Sequence, residues 1–202
     1  FSATIPAEIA DLAEKMLHEP EHISVTPSAK PADKIEQQLY FVEKQEKREL
    51  LPDIIRQSNV HQVLVFTRTK HGADRVARDL NRAGIKTKSI HGDKSQNQRQ
   101  RALADFKECK IAVLVATDIA ARGIDINDLP LVINFDLPNI PETYVHRIGR
   151  TGRAKRHGVA YTFIATITEG IRMDDIVRNT KAEVQRLRYD ADGCLMLVED
   201  GK

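Results

Sequence analysis

Apolar and polar positions along this chain follow two rhythms, and the order in which they alternate organises everything else. Between Pro6 and Leu17, the residues Ile9, Leu12, Ala13, Met16 and Leu17 recur at helical spacing, with Pro6 suited to a first turn. Two extended stretches follow, His22 to Thr26 and Ile35 to Val42, and then a charged helix around Glu43 to Arg56 that Pro52 interrupts or kinks. From there the pattern is regular. Gln62-Val63-Leu64-Val65-Phe66 is a short apolar run with polar flanks, as a strand covered on both faces would be. A helix from about Lys70 to Ala83 stops at Gly84, and a strand covers Thr87 to Ile90. Ser95 followed by Gln98 is a capping box opening the next helix. Ile111 to Ala116 is the most strand-like run, and Leu131 to Phe135 and Val159 to Ala165 are further strands, with a helix at about Pro141 to Ile148 between them. A helix over Ile171 to Leu187 is expected next, and Asp192-Gly193, between Tyr189 and Leu195-Met196-Leu197-Val198, reads as a hairpin.

Strands alternating with amphipathic helices predict an α/β fold with a mostly parallel sheet and helices on both faces. Ligands of such sheets gather at the carboxyl ends of the strands. After Ile90 comes His91-Gly92-Asp93, with Gln96 and Arg99 in the first turn of the capped helix. A glycine for close backbone approach, free N–H groups and an arginine could cradle a phosphodiester, or the helix could simply be capped with a solvated arginine. After Ala116 come Thr117-Asp118 and Ala120-Ala121-Arg122-Gly123-Ile124-Asp125. Thr117 and backbone amides there suit phosphate oxygens, and Asp125 suits ribose hydroxyls; the alternative is a strand-end cap, with Asp118 structural and Arg122 in an internal ion pair. Phe66-Thr67-Arg68-Thr69 offers Thr67 or Thr69 to a nucleic-acid backbone, or as a cap of the following helix.

The segment Tyr144 to Arg153 sets Arg150 and Arg153 three residues apart, each preceded by a glycine. If that turn is helix-like, the two guanidiniums lie on one side and can converge on a single anion. Alternatively they belong to a solvated basic helix end.

Composition narrows the setting. The 202 residues are 41% hydrophobic and 30% charged, which describes an ordinary globular chain of one domain with extensions. A net charge of +2 means that any basic surface must arise from local clustering. Cys109 and Cys194 stand far apart without metal-ligand spacing, so a reduced, cytoplasmic setting is expected. No apolar run approaches membrane-spanning length, and no metal site is expected. Phe1 in place of Met suggests a fragment. No G-x-x-x-x-G-K-[ST] loop occurs, no acidic Mg²⁺ motif follows a strand, and Asp174-Asp175 read as solvated helix charges. The arginines of residues 144–153 are therefore expected to complete a site that lies partly elsewhere.

These motifs, in this order over about residues 1 to 165, resemble the second RecA-like domain of DEAD-box RNA helicases. Ser2-Ala3-Thr4 resembles that family's S-A-T motif, residues 66–69 its motif IV, Gln96-x-x-Arg99 its Q-x-x-R motif, Thr117 to Asp125 its motif V, and His146 to Arg153 its H-R-I-G-R-T-G-R motif VI. The wording of Phe66 to Ala73 and Ala102 to Lys107 is similar to bacterial RhlE-like members. The resemblance implies a RecA-like, P-loop NTPase-type fold and the C-terminal half of an ATP-dependent RNA helicase. It implies that ATP with Mg²⁺ is bound mainly by a preceding N-terminal RecA-like domain. It further implies Arg150 and Arg153 as arginine fingers, Gly123 and Asp125 near the nucleotide, and His146, Ser2 and Thr4 in interdomain coupling. Gly92, Arg99, Thr117 and Thr69 would hold RNA, and Arg147 would be an intradomain structural partner. The expected division is 1–30 for the end of motif III, a helix and linker, 31–170 for the domain proper, and 171–202 for a C-terminal helix and hairpin. A stand-alone RNA- or protein-binding module without catalysis is the rival reading, and a DNA translocase of the same superfamily a third.

Overall fold

A computed structural model describes residues 7–18, 21, 35–122, 124–152, 157–190 and 194–198. The chain divides into two compact units, Phe1–Lys30 and Pro31–Lys202. In the first, the expected helix is present as α1 (Ala7–Met16), with Leu12, Met16 and Leu17 exposed. The expected strand at 22–26 lies outside the described residues.

The second unit runs β1 (Ile35–Phe41), α2 (Lys47–Gln57), β2 (Val63–Phe66), α3 (Lys70–Arg82), β3 (Thr87–Ile90), α4 (Gln96–Lys107) and β4 (Val113–Ala116). It continues with α5 (Asp118–Ala121), β5 (Leu131–Asn134), α6 (Pro141–Ile148), β6 (Gly158–Ile164), α7 (Ile167–Thr180), β7 (Val184–Tyr189) and β8 (Leu195–Leu197). The eight strands form one sheet in the order β3-β4-β2-β5-β6-β1-β7-β8, parallel at every join except β7–β8. The α/β expectation holds.

All four residues of β2, β4 and β5 are buried, and the pleat sends neighbours to opposite faces. Val63 and Val65 meet α2 and α3 through Leu51, Ile54, Val76 and Leu80. Leu64 and Phe66 meet α4 and α5 through Phe106, Ala102 and Ala120. Farther along the sheet, Leu39 of β1 packs with Tyr144 of α6 and Met173 and Ile176 of α7. Truncating any of these centrally placed branched side chains to alanine costs about 2–5 kcal/mol.

Local signals explain several boundaries. Gly84 takes φ +81 after α3, and the N–H of Ile85 donates to Leu80 O at 2.9 Å while that of Gly84 donates to Asn81 O, the paired bonds of a left-handed helix end. Ser95 and Gln98 make the expected reciprocal cap of α4. Pro52 sits inside α2, whose first helical residue is Lys47 rather than Glu43.

The expected helix over 171–187 is corrected. Thr166 starts α7 earlier, its hydroxyl accepting the Glu169 N–H, and Lys181 ends it in the left-handed region at φ 52. From Val184 the chain is extended and pairs in parallel with β1, Gln37 opposite Val184 through Phe41 opposite Arg188. Val184 and Leu187 stand three apart, which suits a helix, but the open side of β1 supplies a ladder that local spacing cannot foresee. The expected hairpin is present as β7 and β8, Tyr189 opposite Leu195, with 191–193 outside the described residues.

Candidate functional site

The turns singled out from the sequence leave the sheet at one level. Ile90 of β3 and Phe66 of β2 are both register partners of Ala116 of β4. The ladder carries one step past the strands, the N–H of Thr67 donating to Ala116 O at 3.0 Å and that of Thr117 to Ile90 O at 3.3 Å. Three polar turns therefore stand side by side at the carboxyl edge, at the ~4.8 Å interval of neighbouring strands.

Each turn is built differently. Thr69 caps α3, its hydroxyl accepting the Gly72 N–H at 3.0 Å, so the capping role foreseen for it is real and its O–H proton remains to donate outward. Thr117 occupies the N-cap position of α5 without a side-chain cap bond. Gly92 is exposed, and a Cβ added there would meet nothing within 4 Å. The domain's own packing therefore does not require glycine at 92, whereas a ligand backbone passing close would. Arg99 lies in the first turn of α4 and reaches the carbonyl of Ala120 at 3.4 Å, joining this turn to the one after β4. A cleft of about 380 Å³ opens beside it, lined by Arg99, Lys107, Arg122 and Asp125 among others.

Asp125 is exposed and held at 3.3 Å by both Lys107 Nζ and Asn127 Nδ2. His146 is exposed on the last turn of α6. Ser2, Thr4, Gly123 and Arg153 lie outside the described residues.

The expected alignment of Arg150 with Arg153 lies outside the described residues, which reach Gly152 in this segment. α6 ends at Ile148 with Gly149 as its C-cap, Thr151 pairs with Leu129 in an isolated bridge, and Gly152 takes φ +70. The chain thus leaves the helix within the motif, before Arg150. Arg150 instead lies over residues 121–126, its guanidinium donating to the carbonyls of Ile124 at 2.9 Å, Ala121 at 3.2 Å and Ile126 at 3.5 Å.

Arg147 is buried, as an intradomain partner should be. It forms a two-pronged pair with Asp118, Nε to Oδ1 at 2.6 Å and Nη2 to Oδ2 at 2.8 Å. Its Nη1 donates to Asn134 Oδ1 and to Asp136 O, and its guanidinium lies 5.0 Å from the centre of the Phe66 ring. Asp118 is thus structural through Arg147, whereas Arg122, expected as an internal ion-pair partner, is exposed and lines the cleft beside Arg99. Sequence reasoning missed Asn134, fully buried and anchored by Thr162 at 3.1 Å; an asparagine closing the run Leu131-Val132-Ile133 was its only signal.

Among the described residues no group of three His, Cys, Asp or Glu side chains could hold a metal ion, and no helix is long and apolar enough to cross a membrane.

Comparison with known proteins agrees with this geometry. The helicase conserved C-terminal domain family matches residues 46–155. The DEAD-box ATP-dependent RNA helicase CshA of Bacillus subtilis is 44% identical over 188 residues, covering 93% of this chain and 38% of that protein. A DEAD box protein from the hyperthermophile Methanococcus jannaschii superposes with a TM-score of 0.73 at 41% identity, covering 93% of this chain and 50% of that one. Saccharomyces cerevisiae Dbp5 bound to RNA and ADP BeF3 superposes with a TM-score of 0.80 at 29% identity, over 93% and 50%. The chain spans about two fifths of the length of the curated relatives it matches.

Proposed function

Because the chain belongs to the helicase conserved C-terminal domain family, we propose that it is the second RecA-like half of a DEAD-box ATP-dependent RNA helicase. The carrying observation is the level set of polar turns after β2, β3 and β4, with Gly92 open to solvent for no reason internal to the domain. Gly92, Arg99, Thr117 and Thr69 hold the sugar–phosphate backbone of RNA. Such contacts fix register and strand path without reading bases. The likeness to Dbp5, whose structure contains RNA and ADP BeF3, supports this reading.

ATP with its Mg²⁺ is held mainly by a preceding RecA-like domain, and closure of the two halves brings Arg150 and Arg153 to the transferring phosphoryl group. Arg150 then exchanges neutral carbonyl partners for anionic oxygens, a stronger bond for a guanidinium. Gly123 and Asp125 complete the nucleotide side, and His146, Ser2 and Thr4 couple the halves. Hydrolysis so coupled to RNA grip drives duplex remodelling. We place the enzyme in the cytoplasm, in keeping with two free, exposed cysteines. The subfamily is read at the level of DEAD-box proteins: the RhlE-like wording of 66–73 stands beside relatives that carry the name CshA.

RNA-stimulated ATPase activity of the full-length protein, and of this chain alone, tests the proposal. The full protein should hydrolyse ATP in response to RNA more than to DNA of equal length, and this chain alone should show negligible turnover. A full-length protein that binds RNA without hydrolysing ATP would make this a binding module; equal stimulation by DNA would make it a translocase.

A further inference from the structure

The turn that carries Gly92 is not shaped by its own residues alone. Asp74, in the middle of α3, sends its carboxylate across to β3 and the turn, where Oδ1 accepts from Ser89 Oγ at 2.5 Å and from Lys94 Nζ at 3.0 Å. The same oxygen lies 3.1 Å from Nε2 of His91, whose buried ring makes no aligned hydrogen bond. One turn earlier on α3, Lys70 Nζ pairs with Asp93 at 2.7 Å. Ser89, His91, Asp93 and Lys94 are thus all tied to one helix, and Gly92 stands between the tied residues. Burial pushes the Asp74 carboxyl upward, but hydrogen bonds from Ser89 and Lys94, with the His91 ring close by, outweigh it and hold the group well below the usual carboxylate range.

A two-residue reach from a rigid helix fixes where a backbone N–H or a glycine Cα can meet a phosphate, and a displacement of about 1 Å is enough to weaken such a grip. We infer that Asp74, seconded by Lys70, is a positioning residue: the charged face of α3 holds the 91–94 turn in the form that receives an RNA phosphate at Gly92. The inference rests on the RNA-binding reading of Gly92. Neither aspartate touches RNA. Both are anions beside a polyanion, so their charge alone opposes binding. That makes the sign of the effect diagnostic. Asp74→Asn and Asp93→Asn each remove a repelling charge; simple electrostatics expects tighter RNA, and positioning expects weaker RNA.

The test uses the full-length enzyme, with poly(U) as probe and ATP turnover as readout. Asp74→Asn should raise the poly(U) concentration for half-maximal stimulation about tenfold, the factor that loss of one charge-assisted hydrogen bond supports. Turnover at saturating poly(U) should stay within about twofold. Asp93→Asn, a change at an exposed side chain that leaves the core untouched, should act in the same direction by a smaller factor. In a Gly92→Val background Asp74→Asn should have little further effect, since the turn it serves is already lost. Unchanged or lowered half-saturation in both variants overturns the inference, as does saturated turnover that falls in step with melting temperature. A wild-type enzyme without RNA stimulation overturns the helicase reading and this inference together, whereas a stimulated wild type with unaffected variants overturns this inference alone.

Discussion

Arg147 and Arg150 stand three residues apart and address the same stretch of chain, yet they are bound in opposite ways. Arg147 is 2% exposed and locked by both oxygens of Asp118, with Asn134 and Phe66 closing the remaining sides. Arg150 is half-buried and grips the carbonyls of Ala121, Ile124 and Ile126. That bidentate pair cannot be given up without leaving a buried guanidinium short of its countercharge. Part-buried bonds to neutral carbonyls strand no countercharge when the guanidinium moves to a phosphate. The difference lies in where the α6 helix ends: Arg147 is on the helix and points into the sheet, and Arg150 is beyond Gly149, on chain that has already turned.

The contrast can be broken most decisively at Arg150. Arg150→Ala in the full-length enzyme should lower ATP turnover by about 10³-fold or more. Its urea unfolding should shift by about 1–3 kcal/mol, too little to unfold the domain; turnover within a fewfold of wild type would end the arginine-finger assignment. Arg147→Met should do the reverse. It leaves the partly exposed Asp118 and the buried Asn134 without their donor and should cost about 2–4 kcal/mol in urea unfolding of this chain. Asp118→Asn keeps an acceptor for Arg147 but loses the charge, so the same measurement should give about 1–3 kcal/mol. Thr151→Val is the mildest, removing the hydroxyl bond to the Leu129 carbonyl that ties the arginine segment to the chain before β5; a loss of about 1 kcal/mol is expected.

Much of this arrangement was legible in the residue order. Buried strands such as 63–66 and 113–116, the cap at Ser95 and the stop at Gly84 are decided by a few neighbouring residues, and the chain obeys them. What escaped depends on distant partners. The 184–189 segment becomes a strand because β1 offers a free edge nearly three quarters of the chain earlier. The Asp118–Arg147 pair spans 29 positions and the Arg150 contacts reach back 24 to 29, distances over which spacing carries no signal. The sequence identified residues 144–153 as important but did not show that α6 ends between Arg147 and Arg150. Asp74 and its partners were missed because an aspartate on an amphipathic helix looks solvated until the turn it meets is in place.

The pairing of β1 has a consequence in time. Ile35 lies opposite Gly158 and Gln37 opposite Val184, so neither neighbour of β1 exists until more than a hundred further residues have been made. At a ribosomal rate of ~5–20 residues per second, β1 waits roughly 6 to 25 s with Leu39 and Tyr40 unpaired while β2, β3 and β4 can already assemble. The nascent chain therefore carries a ribbon whose Ile35, Leu39, Tyr40 and Phe41 stay uncovered beside a half-built sheet until the ribosome reaches β6.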